Sequence, residues 1–172
     1  SNANVDGHGV NYPLYLYRGA DGAPEVATSD KMAETCWPYA FENPHMDWSY
    51  YSMTKMNLRG DWSFYGEGNK WTNSKGYTGY LGVLMHTVPG FLVEGYFHTY
   101  QPARYRAMND DVCHMEGLAY ARGICEYFGL NKETTGYIYG IVRDQHEKFK
   151  HDLYHAIATT NSVYKPLNGV VV

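Results

Sequence analysis

Residues 82–97 read Gly-Val-Leu-Met-His-Thr-Val-Pro-Gly-Phe-Leu-Val-Glu-Gly-Tyr-Phe. Two short apolar runs, 81–87 and 91–97, are split by Pro89-Gly90, a pair that interrupts regular structure. The stretch therefore predicts two strands, or one strand broken by a bulge. Glu94 stands at the end of the second apolar run, where side chains emerge at the mouth of an α/β sheet. Downstream, Asp110 or Asp111 opens a helix to about Phe128. Met115, Leu118, Ala121, Cys125 and Phe128 line one side of it, and Gly129 sits just past its end.

Working outward, residues 10–18 alternate and are rich in aromatics, which predicts a strand with Pro13 at its start or on a sheet edge. Thr28 or Ser29 can cap a helix over about 30–42. Met32, Ala33, Cys36, Trp37 and Ala40 fall at three- and four-residue steps on it, and Pro38 should kink or shorten it. Residues 43–78 show no sustained period and read as a long aromatic-rich excursion over one face. The whole is an α/β chain, a mixed or parallel sheet flanked by helices. It ends in a β-rich segment in which 136–144 and 163–172 are strand-like around a charged, His-rich stretch.

The composition narrows the partners. The 172 residues carry 14 Lys+Arg against 18 Asp+Glu, a formal net charge of −4, so no basic field is available to hold a nucleic-acid backbone or an acidic membrane. No apolar run approaches the roughly 20 residues that cross a bilayer. Cys36, Cys113 and Cys125 have no CxxC spacing and indicate neither a zinc knuckle nor a disulfide framework. The 18 Tyr, 6 Phe and 4 Trp are the unusual feature. Such amphipathic rings suit stacking on sugars or other flat polar ligands, and equally suit packing on one another. Ser1-Asn2-Ala3 resembles the scar of a removed tag.

The run from 82 to 97 resembles the last catalytic motif of the zinc-dependent N-acetylmuramoyl-L-alanine amidases, which cut peptidoglycan between glycan and stem peptide. Pro89, Leu92, Val93, Glu94 and Phe97 match that motif in order, the helix from 111 to 128 follows, and Asn57-Leu-Arg-Gly60 is similar to an upstream Arg-Gly segment. The resemblance spans roughly residues 10–130 and is sharp over 81–128. It departs at Phe97-His-Thr-Tyr100, where the family has Phe-x-x-Asn, and in the length of the Tyr-rich loop at 43–78. It implies Glu94 as catalytic base and acid, with Arg59, His98 and Tyr100 as candidates for carbonyl stabilisation or for contacts to glycan and peptide. From the pattern alone, an edge-strand Glu94 facing solvent is equally compatible.

The resemblance also implies zinc, held by a His in a Gly-His-Gly turn, a Glu in the next helix and a later His. His8 in Gly7-His8-Gly9, with Glu25 and His45, suggests itself as that set. About 20 residues between the second and third ligands cannot hold the two strands and helix required. Asn4-Val-Asp-Gly instead resembles the residues after the third ligand, which places all three zinc ligands before residue 4 and makes His8 a loop residue; His8 as a ligand is the alternative. On this reading residues 4–132 are the C-terminal part of a catalytic domain, and the 172 residues alone should show no amidase activity. Residues 133–172 resemble the opening strands of a β-sandwich module of the carboxypeptidase-regulatory kind.

The implied chemistry is zinc-assisted amide hydrolysis, in which the metal activates water and Glu94 moves its proton. The implied partners are the glycan and stem peptide of peptidoglycan, and the implied location is outside the cytoplasm, in the periplasm or cell envelope. Two readings of other classes compete. One is a non-catalytic cell-wall or carbohydrate-binding module with an aromatic surface; the other is an envelope scaffold acting through its C-terminal β segment. His86 and His98 flank the Glu94 strand and are candidates for the same mouth, whereas His114, His146, His151 and His155 read as helix or solvated-face residues.

Overall fold

The computed structural model describes residues 11–42, 57–66, 68–100, 103–104, 107–130, 142–148, 164–167 and 169–171. Its centre is a three-stranded sheet in the order β4-β1-β7, formed by β1 (Leu14–Tyr17), β4 (Leu58–Gly60) and β7 (Leu92–Glu94). β1 runs parallel to β4, with Leu16 opposite Arg59, and antiparallel to β7, with Leu14 opposite Glu94. The strand expected over 10–18 is thus confined to four residues. Pro13 precedes it and does not lie on an edge, because β1 is central and each of its residues is buried. A missing N–H is tolerated just before a central strand and not within it.

Side-chain alternation assigns the two faces. Tyr15 packs with Ala33, Cys36, Trp37, Ala40, Phe41 and Ala119, the cluster between the sheet and two helices, α1 (Ser29–Trp37) and α3 (Asp110–Tyr127). Leu14 and Leu16 point the other way and pack with Leu84, flanked by Tyr12, Phe64, Leu81 and Leu92. That second face is closed by a short 3-10 turn (Gly82–Leu84) and by α2 (Asp61–Tyr65). The chain is therefore a mixed α/β fold with a mixed parallel and antiparallel sheet flanked by helices.

The apolar face read for α1 is the one buried, and the helix stops where Pro38 removes a donor; a π turn continues over Pro38–Glu42. Neither hydroxyl before α1 caps it. Thr28 holds φ 69° with no side-chain cap bond; its Oγ1 donates to Ala27 O at 2.6 Å and meets the Tyr127 hydroxyl. Ser29 Oγ accepts from Gly90 N at 3.2 Å. Both hydroxyls join elements distant in sequence instead of ending a helix.

α3 begins at the cap of Asn109, whose Oδ1 accepts from Asp111 N at 3.0 Å and Val112 N at 3.2 Å. It gives way to Gly129 at φ 63°. Its buried residues are Ala119 and Gly123, whereas Ala121 and Phe128 are exposed, so the large-residue face expected to pack is not the contact face. A Cβ on Gly123 would lie 2.7 Å from Cys36 Cα, so small residues let α1 and α3 approach backbone to backbone.

The excursion expected over 43–78 is partly regular. Residues 43–56 lie outside the described ones. Beyond them come β4, α2 and a hairpin of β5 (Trp71–Thr72) and β6 (Thr78–Gly79). Earlier, β2 (Gly19–Ala20) and β3 (Ala23–Pro24) form another two-residue hairpin. The first apolar run, 81–87, is the 3-10 turn and not a strand; short apolar runs do not distinguish the two by period. In the β-rich C-terminal segment, β8 (Arg143–Lys148) pairs antiparallel with β9 (Tyr164–Pro166). Residues 136–141 and 149–163 lie outside the described residues.

Candidate active site

Glu94 is the last residue of β7. Its register with Leu14 places it on the Leu14–Leu16 face, away from α1 and α3. The side chain is half-buried and its Oε2 is shielded from solvent. α2 approaches this face through Phe64 and Tyr65, whose rings meet edge to face at 4.9 Å. The Tyr65 phenol is held above its ordinary pKa, first by burial, then by the negative charges of Glu94 and Asp61. Tyr65 therefore stands within the field of both carboxylates, and Tyr12, its ring tilted against Phe97 with centroids 4.7 Å apart, completes the neighbourhood.

Because β7 runs antiparallel to β1, its C-terminal end lies at the N-terminal end of the parallel β1–β4 pair. The opposite end of that pair carries a second polar cluster that sequence reasoning missed. Asp61 is fully buried; its Oδ1 accepts from Gly19 N at 2.9 Å and its Oδ2 from Tyr80 N at 3.0 Å. Asp21 accepts from Gly60 N at 2.7 Å and from Arg59 Nε at 2.8 Å. Gly60 lies so close to the β2–β3 hairpin that a Cβ there would fall 2.2 Å from Gly19 O. The available signal was Gly60-Asp61 directly after a strand, a small residue and a carboxylate where a helix begins.

The residues named with Glu94 are placed as follows. Arg59 shares its face by register, yet its guanidinium is held by Asp21 and by Ser63 O at 3.4 Å. His98 is exposed just beyond Phe97. Tyr100 is 1% exposed and packs with Phe97 and Ala103, so its ring is core in this structure. His86 lies over Gly90, at the far end of β7. A Cβ on Gly90 would meet its Cε1 at 2.9 Å, and four extended residues, about 13 Å, separate Gly90 from Glu94.

The zinc implied by the sequence resemblance needs three or four donors converging on one point. Among the described residues no three His, Cys, Asp or Glu side chains gather to hold a metal. Asp61 and Asp21 spend their oxygens on amides and a guanidinium, and Glu25 lies 3.9 Å from Arg18. The described residues do not fit zinc. His8 and His45 lie outside them, as does the proposed upstream ligand set.

No protein-family model matches the chain, and no curated protein matches it. Among the described residues no helix is long and apolar enough to cross a membrane. Among solved structures, the N-acetylmuramoyl-L-alanine amidase AmiC2 of Nostoc punctiforme is similar with a TM-score of 0.44 and 16% identity, over 75% of this chain and 54% of that one. The chain thus spans about half the length of that amidase. A likeness of this order is weak and leaves the activity to be argued from the residues.

Proposed function

We propose that the protein belongs to a peptidoglycan hydrolase that cleaves the amide between N-acetylmuramic acid and L-alanine, with Glu94 as its proton-transfer group. The observation that carries this reading is the placement of Glu94 at the end of β7, half-buried beside Leu14, with Tyr65 within reach of its charge. The match of Pro89, Leu92, Val93 and Phe97 around it supports the same assignment. Glu94 takes a proton from the attacking water and gives it to the departing amine, so that neither hydroxide nor an amide anion need form free in solution. The zinc implied for such hydrolysis would draw its donors from beyond the described residues, and residues 4–132 would form the C-terminal part of the catalytic domain. The substrate class places the working protein outside the cytoplasm, in the periplasm or cell envelope, with the β8–β9 segment opening a second module.

The exposed rings of Tyr65 and Trp71 favour a second reading, a wall-binding module without catalysis. Native-length protein, assayed for bound zinc and for stem-peptide release from purified sacculi, separates the two. Release abolished by Glu94→Gln supports hydrolysis. Binding without any release by the wild type supports the module.

A further inference from the structure

We propose that Tyr65, Tyr80 and Trp71 form a sugar-stacking platform that binds the glycan strand of peptidoglycan beside Glu94. Tyr65 and Trp71 are each 48% exposed, high for rings of this size. They flank Tyr80. The Tyr65 and Tyr80 centroids are 5.2 Å apart, and the Trp71 indole N–H donates to Tyr80 O at 3.2 Å.

The three rings are held in place before any ligand arrives. The Tyr80 hydroxyl donates to Gly66 O and accepts from Asn69 N at 3.3 Å, while its amide is anchored on Asp61. The hairpin that presents Trp71 closes on Asn73, whose Oδ1 accepts from Lys75 N at 2.9 Å and Tyr77 N at 3.1 Å. Gly76 supplies the left-handed residue of that turn at φ 81°. Rings fixed in advance lose little freedom on binding, which favours a stacking ligand.

The chemistry selects a sugar over other flat partners. Pyranoses present an apolar C–H face to a ring and hydroxyls at the edge. Here exposed Asn69, whose amide donates to the Tyr80 hydroxyl, supplies a polar edge to the Tyr80 ring. A polyanion such as single-stranded nucleic acid also stacks on aromatic rings, but it needs a basic groove, and the chain carries a net charge of −4. Tyr65 packs against Tyr80 and lies on α2, the helix that covers the Leu14–Leu16 face on which Glu94 lies, so a bound sugar strand would lead toward the proposed catalytic group.

This inference extends the peptidoglycan reading to the sugar strand, and its test is independent of cleavage. The 172-residue protein is titrated with a β-1,4-linked N-acetylglucosamine tetrasaccharide, followed by tryptophan emission and calorimetry, and is pulled down on purified sacculi. Saturable binding is expected, with affinity falling on the order of tenfold in Trp71→Ala and in Tyr65→Leu, the latter keeping bulk without a flat face. Trp71→Phe should retain most of the affinity. Melting temperatures of the variants should stay near wild type, because both rings are half-exposed. Glu94→Gln should bind as the wild type does, so loss of binding and loss of hydrolysis are read separately. The proposal is overturned if no saturable sugar binding occurs, if Trp71→Ala and Tyr65→Leu bind as wild type, or if stem peptide without sugar occupies the same rings.

Discussion

Asp61 Oδ2 accepts the amide proton of Tyr80 at 3.0 Å, and its other oxygen accepts from Gly19. One fully buried carboxylate therefore fastens the aromatic hairpin and the β2–β3 hairpin to the end of the sheet. Asp61→Ala leaves two donors without their acceptor. At roughly 1–3 kcal/mol for each, the expected loss is about 2–6 kcal/mol, or a fall in Tm of roughly 4–24 °C for a chain of this size. Thermal melting checks the magnitude, and hydrogen exchange should show faster exchange at the amides of Tyr80 and Gly19. Unchanged protection at both would contradict the fastening role.

Gly123 is the point where α3 meets α1. Ala is the better helix former by about 1 kcal/mol, but its Cβ would lie 2.7 Å from Cys36 Cα, and backbone cannot rotate away. Overpacking costs typically 1–3 kcal/mol, and at a backbone contact this close the steric cost wins. Gly123→Ala should lower the urea midpoint with an unchanged m-value; a midpoint at or above wild type would show that the helices separate without cost.

Three buried acids tie stability to alkaline pH. Burial is the first cause in each case. It pushes the Cys36 thiol up from 9.0 to about 11, with the charge of Glu126 adding to it. It also raises the Tyr15 and Tyr120 phenols above their usual 10.0, with Tyr120 and Glu116 the next cause respectively. Each group is kept neutral in the folded state, so its contribution is complete below the unfolded pKa and is lost as pH rises toward the folded one. Tm should be flat through pH 8, begin to fall near pH 9 as Cys36 ionises in the unfolded chain, and steepen near pH 10 as the tyrosines follow. Cys36→Ala should remove the first part of the fall. A Tm that holds from pH 9 to 11 would contradict the burial of these groups.

Cysteine labelling reads the same packing at neutral pH. Cys113 is exposed and Cys36 is buried between α1 and α3. Alkylation of native protein, located by mass spectrometry, should mark Cys113 and spare Cys36 until denaturant is added.

What the sequence discloses follows from how each element is specified. α3 was legible at both ends because Asp110 and Gly129 are local signals, although the cap itself, Asn109, was not singled out. Its contact face was not, because apolar periodicity marks large residues, whereas the α1 contact is made at Ala119 and Gly123. The apolar stripe of Ala33, Cys36 and Trp37 on α1, continued by Ala40 in the π turn, was legible because its spacing is regular. The β5–β6 hairpin escaped because two-residue strands carry no period; only the Asn73 and Gly76 turn marks it. Glu94 was legible as the carboxylate ending an apolar run. Its neighbour Tyr65 was not, since α2 reaches that face through tertiary packing, and neither was Asp61 at the other end of the sheet. Arg59 was drawn in by the resemblance of Asn57-Leu-Arg-Gly60 and Tyr100 by its place just after the Glu94 run; in the structure Arg59 pairs with Asp21 and Tyr100 packs with Phe97 and Ala103.

The central claim is that Glu94 moves the proton during cleavage of a cell-wall amide. Its most direct test compares stem-peptide release from purified peptidoglycan by native-length wild type and Glu94→Gln, with sacculus binding measured on the same samples. The account predicts a fall in release of about 10²-fold or more with binding unchanged. Equal release by the two proteins would contradict it.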